Sequence, residues 1–392
     1  MISLVAVARV LILSFSDHGR DPRVHRQIEA LRKRHELVAA GFAPPAVPGV
    51  RFVDLRPPPA PLAARRSKAL GLVRILARRF ERAYWGNRTV RFALARLDGR
   101  RFDAVVANDI DTLPLALRVA GSAAVLFDAH EYYPEHFAQE RWWRHVMGPH
   151  FTHLCATYMP RAAAVTTVSA GLARRYREEV GVEAEVVINA PELEALEPSR
   201  VETPIRLLHH GIADRRRRLD LTIQAMRHLD ERFRLDLVLL DDGSGELGRL
   251  RALAAGDSRI AFPEPLPMPE IPRFANSYDV GLFLLEPRTF NQLHVLPNKL
   301  FEFIQARLAV AIGPSPEMAA VVREWDCGVV ADDFTPAALA RAVGGLDAKR
   351  IAALKQRSHA AAAELTADRA RGALVRLTES LLDEPRAASP SL

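Results

Sequence analysis

The feature that most constrains how this chain folds is a repeated alternation of short, wholly apolar runs with longer stretches of helical periodicity. Residues 10–15, 36–41, 51–55, 103–107, 123–127, 164–168 and 185–188 read as strands, with helical patterns between most of them. Residues 10–13 are apolar at consecutive positions, as a strand must be when both faces of its sheet are covered. Strand–helix alternation implies parallel strands with covering helices. The same grammar restarts at residues 205–209 and continues at 235–240, 260–262, 280–285, 309–312 and 328–330. The proline-bearing segment 190–204 between the two series reads as a linker. The expected fold class is therefore α/β, with two similar doubly wound, Rossmann-like halves facing one another. In such sheets ligands bind beyond the carboxyl ends of the strands, so the expected active site is the cleft between the halves.

A length of 392 residues suits two domains, and 49% hydrophobic with 26% charged residues is an ordinary globular balance. Cys155 and Cys327 are the only cysteines, which gives neither a disulfide framework nor metal-ligand spacing and fits a reducing cytoplasm. A net charge of +7 favours anionic partners without choosing among them. The apolar start of the chain lacks a basic n-region and is interrupted by Arg9, so it reads as leading into the first strand rather than as a signal peptide. No apolar run reaches the ~20 residues of a membrane span. Residues 64–101 stand apart: Val73, Leu76, Phe80, Ala83, Asn87, Val90, Leu94 and Leu97 form the seam of one long helix, and twelve Arg or Lys residues fall in the window. That helix is either a solvated basic cover or a peripheral contact with an anionic membrane. The basic residues lack interleaved aromatics, so nucleic acid is not an expected partner.

Several strand ends carry polar segments suited to chemistry. Pro297-Asn298 can start a helix with Asn298 as its cap, putting Lys299 and Glu302 on one side of the first turn. A carboxylate can accept two hydrogen bonds from ribose hydroxyls, and a lysine one turn away can meet a phosphate; a plain surface ion pair is the alternative. Gly313-Pro314-Ser315 opens a helix whose N–H groups and dipole attract phosphate. Gly211 is followed by Arg215, Arg216, Arg217 and Arg218, four like charges that a diphosphate would relieve, with one or two expected to touch ligand. Asp241-Asp242-Gly243 reads as a turn rather than a metal site. His130 and Glu131 follow one strand, Asp109 another, and His18, Gly19 and Arg20 lie in the loop after the first. A histidine at such a position can hold a proton at neutral pH.

Taken in order, Asp21-Pro22-Arg23-Val24, Asp128-Ala129-His130-Glu131, Val168-Ser169, Ile188-Asn189-Ala190-Pro191, His210-Gly211 and Pro297-Asn298-Lys299-Leu300-Phe301-Glu302 resemble the family 4 retaining glycosyltransferases, over most of the chain. The resemblance implies a GT-B fold: an acceptor-side domain over 1–192, a nucleotide-sugar-binding domain over 193–366, a helix over 367–383 crossing back to the first domain, and a disordered tail over 384–392. It implies a nucleoside diphosphate sugar as donor substrate, no bound cofactor and no divalent metal, with a glycan or lipid-linked sugar as acceptor. Glu302 would bind the ribose and Arg217 or Arg218 the diphosphate, with Lys299 and the N–H groups near Ser315 assisting. His130 would lie by the transferred sugar. Asn298, Gly211, Gly243 and His294 complete the expected donor set; His18, Gly19, Arg20, Asp109 and Glu131 are the acceptor-side set. The sequence departs from the family at His294, where a glutamate usually contacts the sugar, and at Ile212, where a basic residue often follows the glycine. Two other activities share the pattern: a sugar-nucleotide epimerase, and a non-catalytic subunit that binds nucleotide sugar. The expected location is cytoplasmic, peripheral at the inner membrane face.

Overall fold

The computed structural model of the chain describes residues 7–267 and 270–383, so the expected disordered tail lies outside the described residues. The chain divides into two compact units. Unit 1 holds the chain up to Ile188, Thr289–Asn291 and the last helix from Ala370; unit 2 holds Asn189–Arg288 and Gln292–Arg369.

In unit 1, β1 (Arg9–Leu13), β2 (Glu36–Gly41), β3 (Arg51–Asp54), β4 (Ala104–Asn108), β5 (Ala124–Ala129), β6 (Ala164–Thr167) and β7 (Glu185–Val186) pair in the order β3-β2-β1-β4-β5-β6-β7. Every pairing is parallel. Alternate residues of β1 feed two cores. Leu11 and Leu13 join Val105, Ala107 and Phe127 on one face; Val10 and Ile12 join Val106 and Leu126 on the other. The second face is covered by Val24, Ile28 and Leu31 of the helix Pro22–Leu31 and by Leu374 and Leu381 of the helix Ala367–Asp383.

Unit 2 repeats the plan with β8 (Ile205–Ile212), β9 (Phe233–Leu240), β10 (Ile260–Ala261), β11 (Val280–Phe283), β12 (Ala309–Ile312) and β13 (Gly328–Val330), in the all-parallel order β10-β9-β8-β11-β12-β13. The doubly wound α/β class expected from the sequence is the class observed. In each sheet the strand order reverses at one point, between β1 and β4 and between β8 and β11, and the crevice beyond the carboxyl ends there is where such sheets bind ligands. Among the described residues, no helix is long and apolar enough to cross a membrane.

Two local expectations need correction, and a third is refined. The long helix over 64–101 is three helices, Pro61–Leu76, Phe80–Trp85 and Arg88–Leu97. Arg78 adopts a φ of 54°, and Asn87 caps the third helix by accepting from the Thr89 N–H at 2.8 Å, so the seam is cut twice. Ala83, Val90 and Leu97 are buried, whereas Val73 and Leu76 are exposed. The weakly patterned segment 190–204 is not slack. Arg307 donates to the carbonyls of Leu196 (3.1 Å) and Glu194 (2.6 Å), and the buried Lys355 donates to Ser199 Oγ (2.8 Å), which ties the segment to unit 2. Finally, the helix Asn298–Gln305 has Pro297, not Asn298, at its cap position, because Pro297 holds the extended backbone that precedes the first turn.

Candidate functional site

In unit 2, the switch point gathers cations, buried histidines and a carboxylate. The helix Asn298–Gln305 buries Leu300, Phe301, Phe303 and Ile304, which fixes its rotation and turns Lys299 and Glu302 toward the ends of β8 and β11. The Lys299 ammonium lies 5.7 Å from the Phe283 ring centroid at the end of β11. It also lies so close to Gly211 that a Cβ there would sit 2.5 Å from Nζ. Gly211 has a φ of 142°, a backbone state that side-chain-bearing residues avoid, so the backbone requires glycine here and a Cβ would also displace the end of Lys299. Glu302 is nearly buried, with Oε2 3.3 Å from His210 Nε2. Burial, reinforced by the Lys299 charge, pushes the His210 imidazole down to about 3, so it is neutral. Its neighbour His209 is also held neutral, chiefly by burial, and its Nδ1 donates to the Leu282 carbonyl at 2.8 Å. The surface ion pair, one of the two expectations for Lys299 and Glu302, does not describe this arrangement: Glu302 lies buried beside a neutral imidazole and Lys299 is half-buried beside glycine.

The four arginines separate cleanly. Arg216 is tied to Asp214 at 2.7 Å, and Arg215 is exposed. Arg218 donates to Asp220 (3.1 Å) and Glu286 (3.0 Å), so two carboxylates already neutralise it. Arg217 is half-buried and makes no ion pair or side-chain hydrogen bond among the described residues. Its charge is felt by Lys299: burial first, then Arg217, bring the lysine down to about 8, against the opposing pull of Glu302. A cation whose charged form is depressed by a neighbouring cation is stabilised by an anion.

The other expected donor residues are placed less directly. Ser315 precedes the helix Pro316–Trp325, but its N–H is bonded to Gly313 O (2.8 Å) and its hydroxyl to Leu293 O (2.7 Å). His294 is buried, with Nδ1 2.9 Å from Glu317 Oε1 in the first turn of that helix. Gly243 is exposed, in a turn where Asp241 and Asp242 accept from backbone N–H groups of Gly243 and Ser244. Asn298 is half-exposed at the helix start.

Unit 1 carries a buried polar network at its own switch point. Asp21 caps the helix Pro22–Leu31, accepting from the N–H groups of Arg23 and Val24, both at 3.1 Å. Arg23 and Gln27, one turn apart, then reach Asp128 at the end of β5. Arg23 pairs with both carboxylate oxygens, Gln27 Nε2 donates at 2.5 Å, and Thr166 Oγ1 donates at 2.7 Å. Burial would raise the Asp128 carboxyl, but Arg23 and His130 together hold it far below the carboxylate range. His130 has Nε2 3.2 Å from Asp128 and Nδ1 3.7 Å from Asp109. Burial lowers its pKa, but the two carboxylates outweigh that and raise it above the usual histidine value. Asp109, at a φ of 65°, is itself raised by burial. Glu131 pairs with His136.

The acceptor-side loop does not come together as expected. Gly19 and Arg20 are exposed, but the His18 ring is buried edge-on to Phe52 and against Gly41, where desolvation lowers its pKa. Sequence reasoning quoted Arg23, Asp128 and His210 only within motifs and gave them no role, and it did not single out Gln27 or Glu317. The i, i+4 spacing of Arg23 and Gln27 behind a capping aspartate was the one local signal available.

No family model matches the sequence, and no curated protein does. Solved structures do match in fold. The Anabaena protein HepE, crystallised in complex with UDP-glucose, is 13% identical over 95% of this chain and 100% of its own, with a TM-score of 0.66. Sucrose-phosphate synthase from Thermosynechococcus elongatus is 14% identical over 96% and 99%, with a TM-score of 0.69. WaaG, a glycosyltransferase of lipopolysaccharide biosynthesis, is 13% identical over 96% and 100%, with a TM-score of 0.63. The chain thus has the two-domain Rossmann-like fold of these GT-B glycosyltransferases.

Proposed function

We propose that the chain is a retaining glycosyltransferase, of the family 4 kind, that moves a sugar from a nucleoside diphosphate sugar to an acceptor hydroxyl. The observation that carries the reading is the pair of adjacent, half-buried cations Lys299 and Arg217 beside Glu302 at the unit 2 switch point. In this reading the diphosphate meets both cations, and Glu302 accepts from the ribose hydroxyls. Negative charge grows on the diphosphate as the glycosidic bond breaks, and fixed cations in a partly dry site stabilise it without reorganising. The donor's own phosphate oxygen takes the acceptor proton, and His130 in unit 1 holds the charge that its two carboxylates favour. Binding of UDP and UDP-glucose by the structurally similar HepE supports a nucleotide sugar as donor. The reaction is proposed to need neither a metal nor a bound cofactor. The acceptor is a glycan or a lipid-linked sugar in the cytoplasm, with residues 64–101 in peripheral contact with an anionic membrane.

A thermal-shift screen against UDP, GDP, ADP and their sugars tests the donor site, because a ligand stabilises in proportion to the logarithm of its occupancy. A flat response to all of them refutes it. Glu302→Ala is expected to weaken nucleotide binding by about 1.5–3 kcal/mol, the worth of a charge-assisted hydrogen bond. A second reading, a binding subunit without catalysis, is favoured by one feature: His294 stands where a sugar-contacting glutamate is expected and is bonded to Glu317. Nucleotide binding with no transfer across a broad acceptor panel decides for it.

A further inference from the structure

The helix Pro61–Leu76 in unit 1 has no buried residue along its sixteen positions. Leu62, Val73 and Leu76 are 72%, 60% and 61% exposed, and Trp142 close by is 50% exposed. A helix of this length is marginal alone in water and normally draws its stability from packing an apolar face. Here polar tethers hold it: Ser67 Oγ accepts from the Arg88 N–H at 3.2 Å, and Arg74 donates to the Arg82 carbonyl at 3.0 Å. The side facing the body of unit 1 is lined by the small residues Ala64, Ser67 and Gly71 together with Leu72 and Ile75, and the small ones leave space between the helix and the body. That space is a cavity of about 570 Å³ whose far wall includes Phe15, Phe42, Tyr84, Val90, Met147 and Phe151. A Cβ added to Gly71 would meet nothing within 4 Å. At roughly 30 Å³ per methylene-sized group the cavity holds a chain of well over ten carbons.

Charge decides what kind of chain. Lys68 and Arg88 line the cavity, with Asp111 as its only carboxylate. Residues 64–101 hold twelve Arg or Lys against Glu81 and Asp98, so this stretch alone is more positive than the whole molecule's +7. An apolar pocket with a basic rim, beside exposed leucines and a half-exposed tryptophan, complements an amphiphile with an anionic head.

We propose that the cavity beneath the helix Pro61–Leu76 takes the hydrocarbon chain of an anionic membrane lipid, whose phosphate meets Lys68 and Arg88. The site deepens the transferase reading, on which it rests only in that such a lipid is the class of molecule that carries the acceptor.

Calorimetric titration of the full chain with monomeric dodecyl phosphate, below its micelle concentration, tests the site. Inorganic phosphate serves as a head-only probe and dodecyl maltoside as an uncharged one. One-to-one binding of dodecyl phosphate is expected, with no saturable binding of inorganic phosphate and weaker binding of the maltoside. Gly71→Phe fills the cavity and is expected to abolish the binding while the thermal response to nucleotide is kept. If that variant does not fold, Ala64→Leu narrows the same space and repeats the test. Lys68→Gln with Arg88→Gln is expected to lower affinity for phosphatidylglycerol-containing vesicles about thirty-fold at low salt. Dodecyl phosphate binding that is absent, or undiminished in the cavity-filling variant, overturns the proposal, as does equal binding to phosphatidylcholine vesicles with and without phosphatidylglycerol. Loss of nucleotide binding alone counts against the donor site and leaves this one standing.

Discussion

Replacing Arg217 and Arg218 one at a time by glutamine separates two roles that adjacent, identical side chains would otherwise hide. Arg217 is half-buried, has no carboxylate partner among the described residues, and depresses the Lys299 ammonium. Removing it relieves repulsion in the free protein, so the unfolding midpoint should stay level or rise. It also deletes a charged donor to the diphosphate, worth about 1.5–3 kcal/mol, which is roughly a ten- to hundred-fold rise in Kd. Arg218 is different, because it neutralises the buried Asp220 and the half-exposed Glu286. Arg218→Gln removes the only ion-pair partner of Glu286 among the described residues and leaves Asp220 with Arg249 alone, at 3.7 Å, and should cost about 1–3 kcal/mol of stability. For a unit of this size that is a fall of about 2–4 °C per kcal/mol. Its direct effect on nucleotide affinity should be the smaller one. Calorimetric titration with UDP and differential scanning calorimetry on both variants give the two numbers for each. Equal losses of affinity, or unchanged affinity in Arg217→Gln, would refute the assignment of Arg217 as the phosphate-binding arginine.

Three further outcomes follow from the geometry. Asp128→Ala leaves the buried Arg23 uncompensated and should cost about 3–5 kcal/mol in urea unfolding, whereas Arg23→Met with Asp128→Leu should recover most of it; a loss near zero for the single variant would remove the network from the stability of unit 1. The pKa of His130 is raised in the folded state, so its contribution to stability is full below the ordinary histidine value of 6.5 and is lost as pH rises through the raised value. Turnover should fall over the same window, and Asp109→Asn should move that fall to lower pH; a pH profile indifferent to Asp109→Asn excludes His130 as the titrating group. Gly211→Ala drives a Cβ into Lys299 and should weaken UDP binding as much as Lys299→Ala does, and wild-type affinity should decline as pH rises past about 8, where the lysine loses its proton. Retained affinity in Gly211→Ala would show that Lys299 does not touch the nucleotide.

Much of the scaffold could be read along the chain. A run such as Val10-Leu11-Ile12-Leu13 must be buried on both sides, and the structure sends alternate residues of it into two different cores. Strand ends slipped by two or three residues where hydrogen bonding outran apolarity: β8 continues past His209 to Ile212, and β5 continues past Phe127 to Ala129. The long basic helix was misread because three- and four-residue spacing survives across a break, while the break itself depends on the left-handed backbone at Arg78 and on the Asn87 cap. The site was legible in kind but not in detail. A capping aspartate before Pro22 could be seen, but the convergence of Arg23, Gln27 and Thr166 on Asp128 spans more than a hundred residues of chain.

The sequence by itself determined the class of fold and the strand ends at which chemistry is found, because burial on two faces and helical periodicity are local properties of a chain. Tertiary structure alone decided which charges are spent and which remain available. Arg217 and Arg218 are indistinguishable in sequence, and only the positions of Asp220 and Glu286 in space make one a structural cation and the other an open one. The same holds for Glu302, which the chain pattern offers as a helix-surface carboxylate and the fold buries against His210. Desolvation and distance set those roles, and both exist only once strands far apart in sequence are side by side.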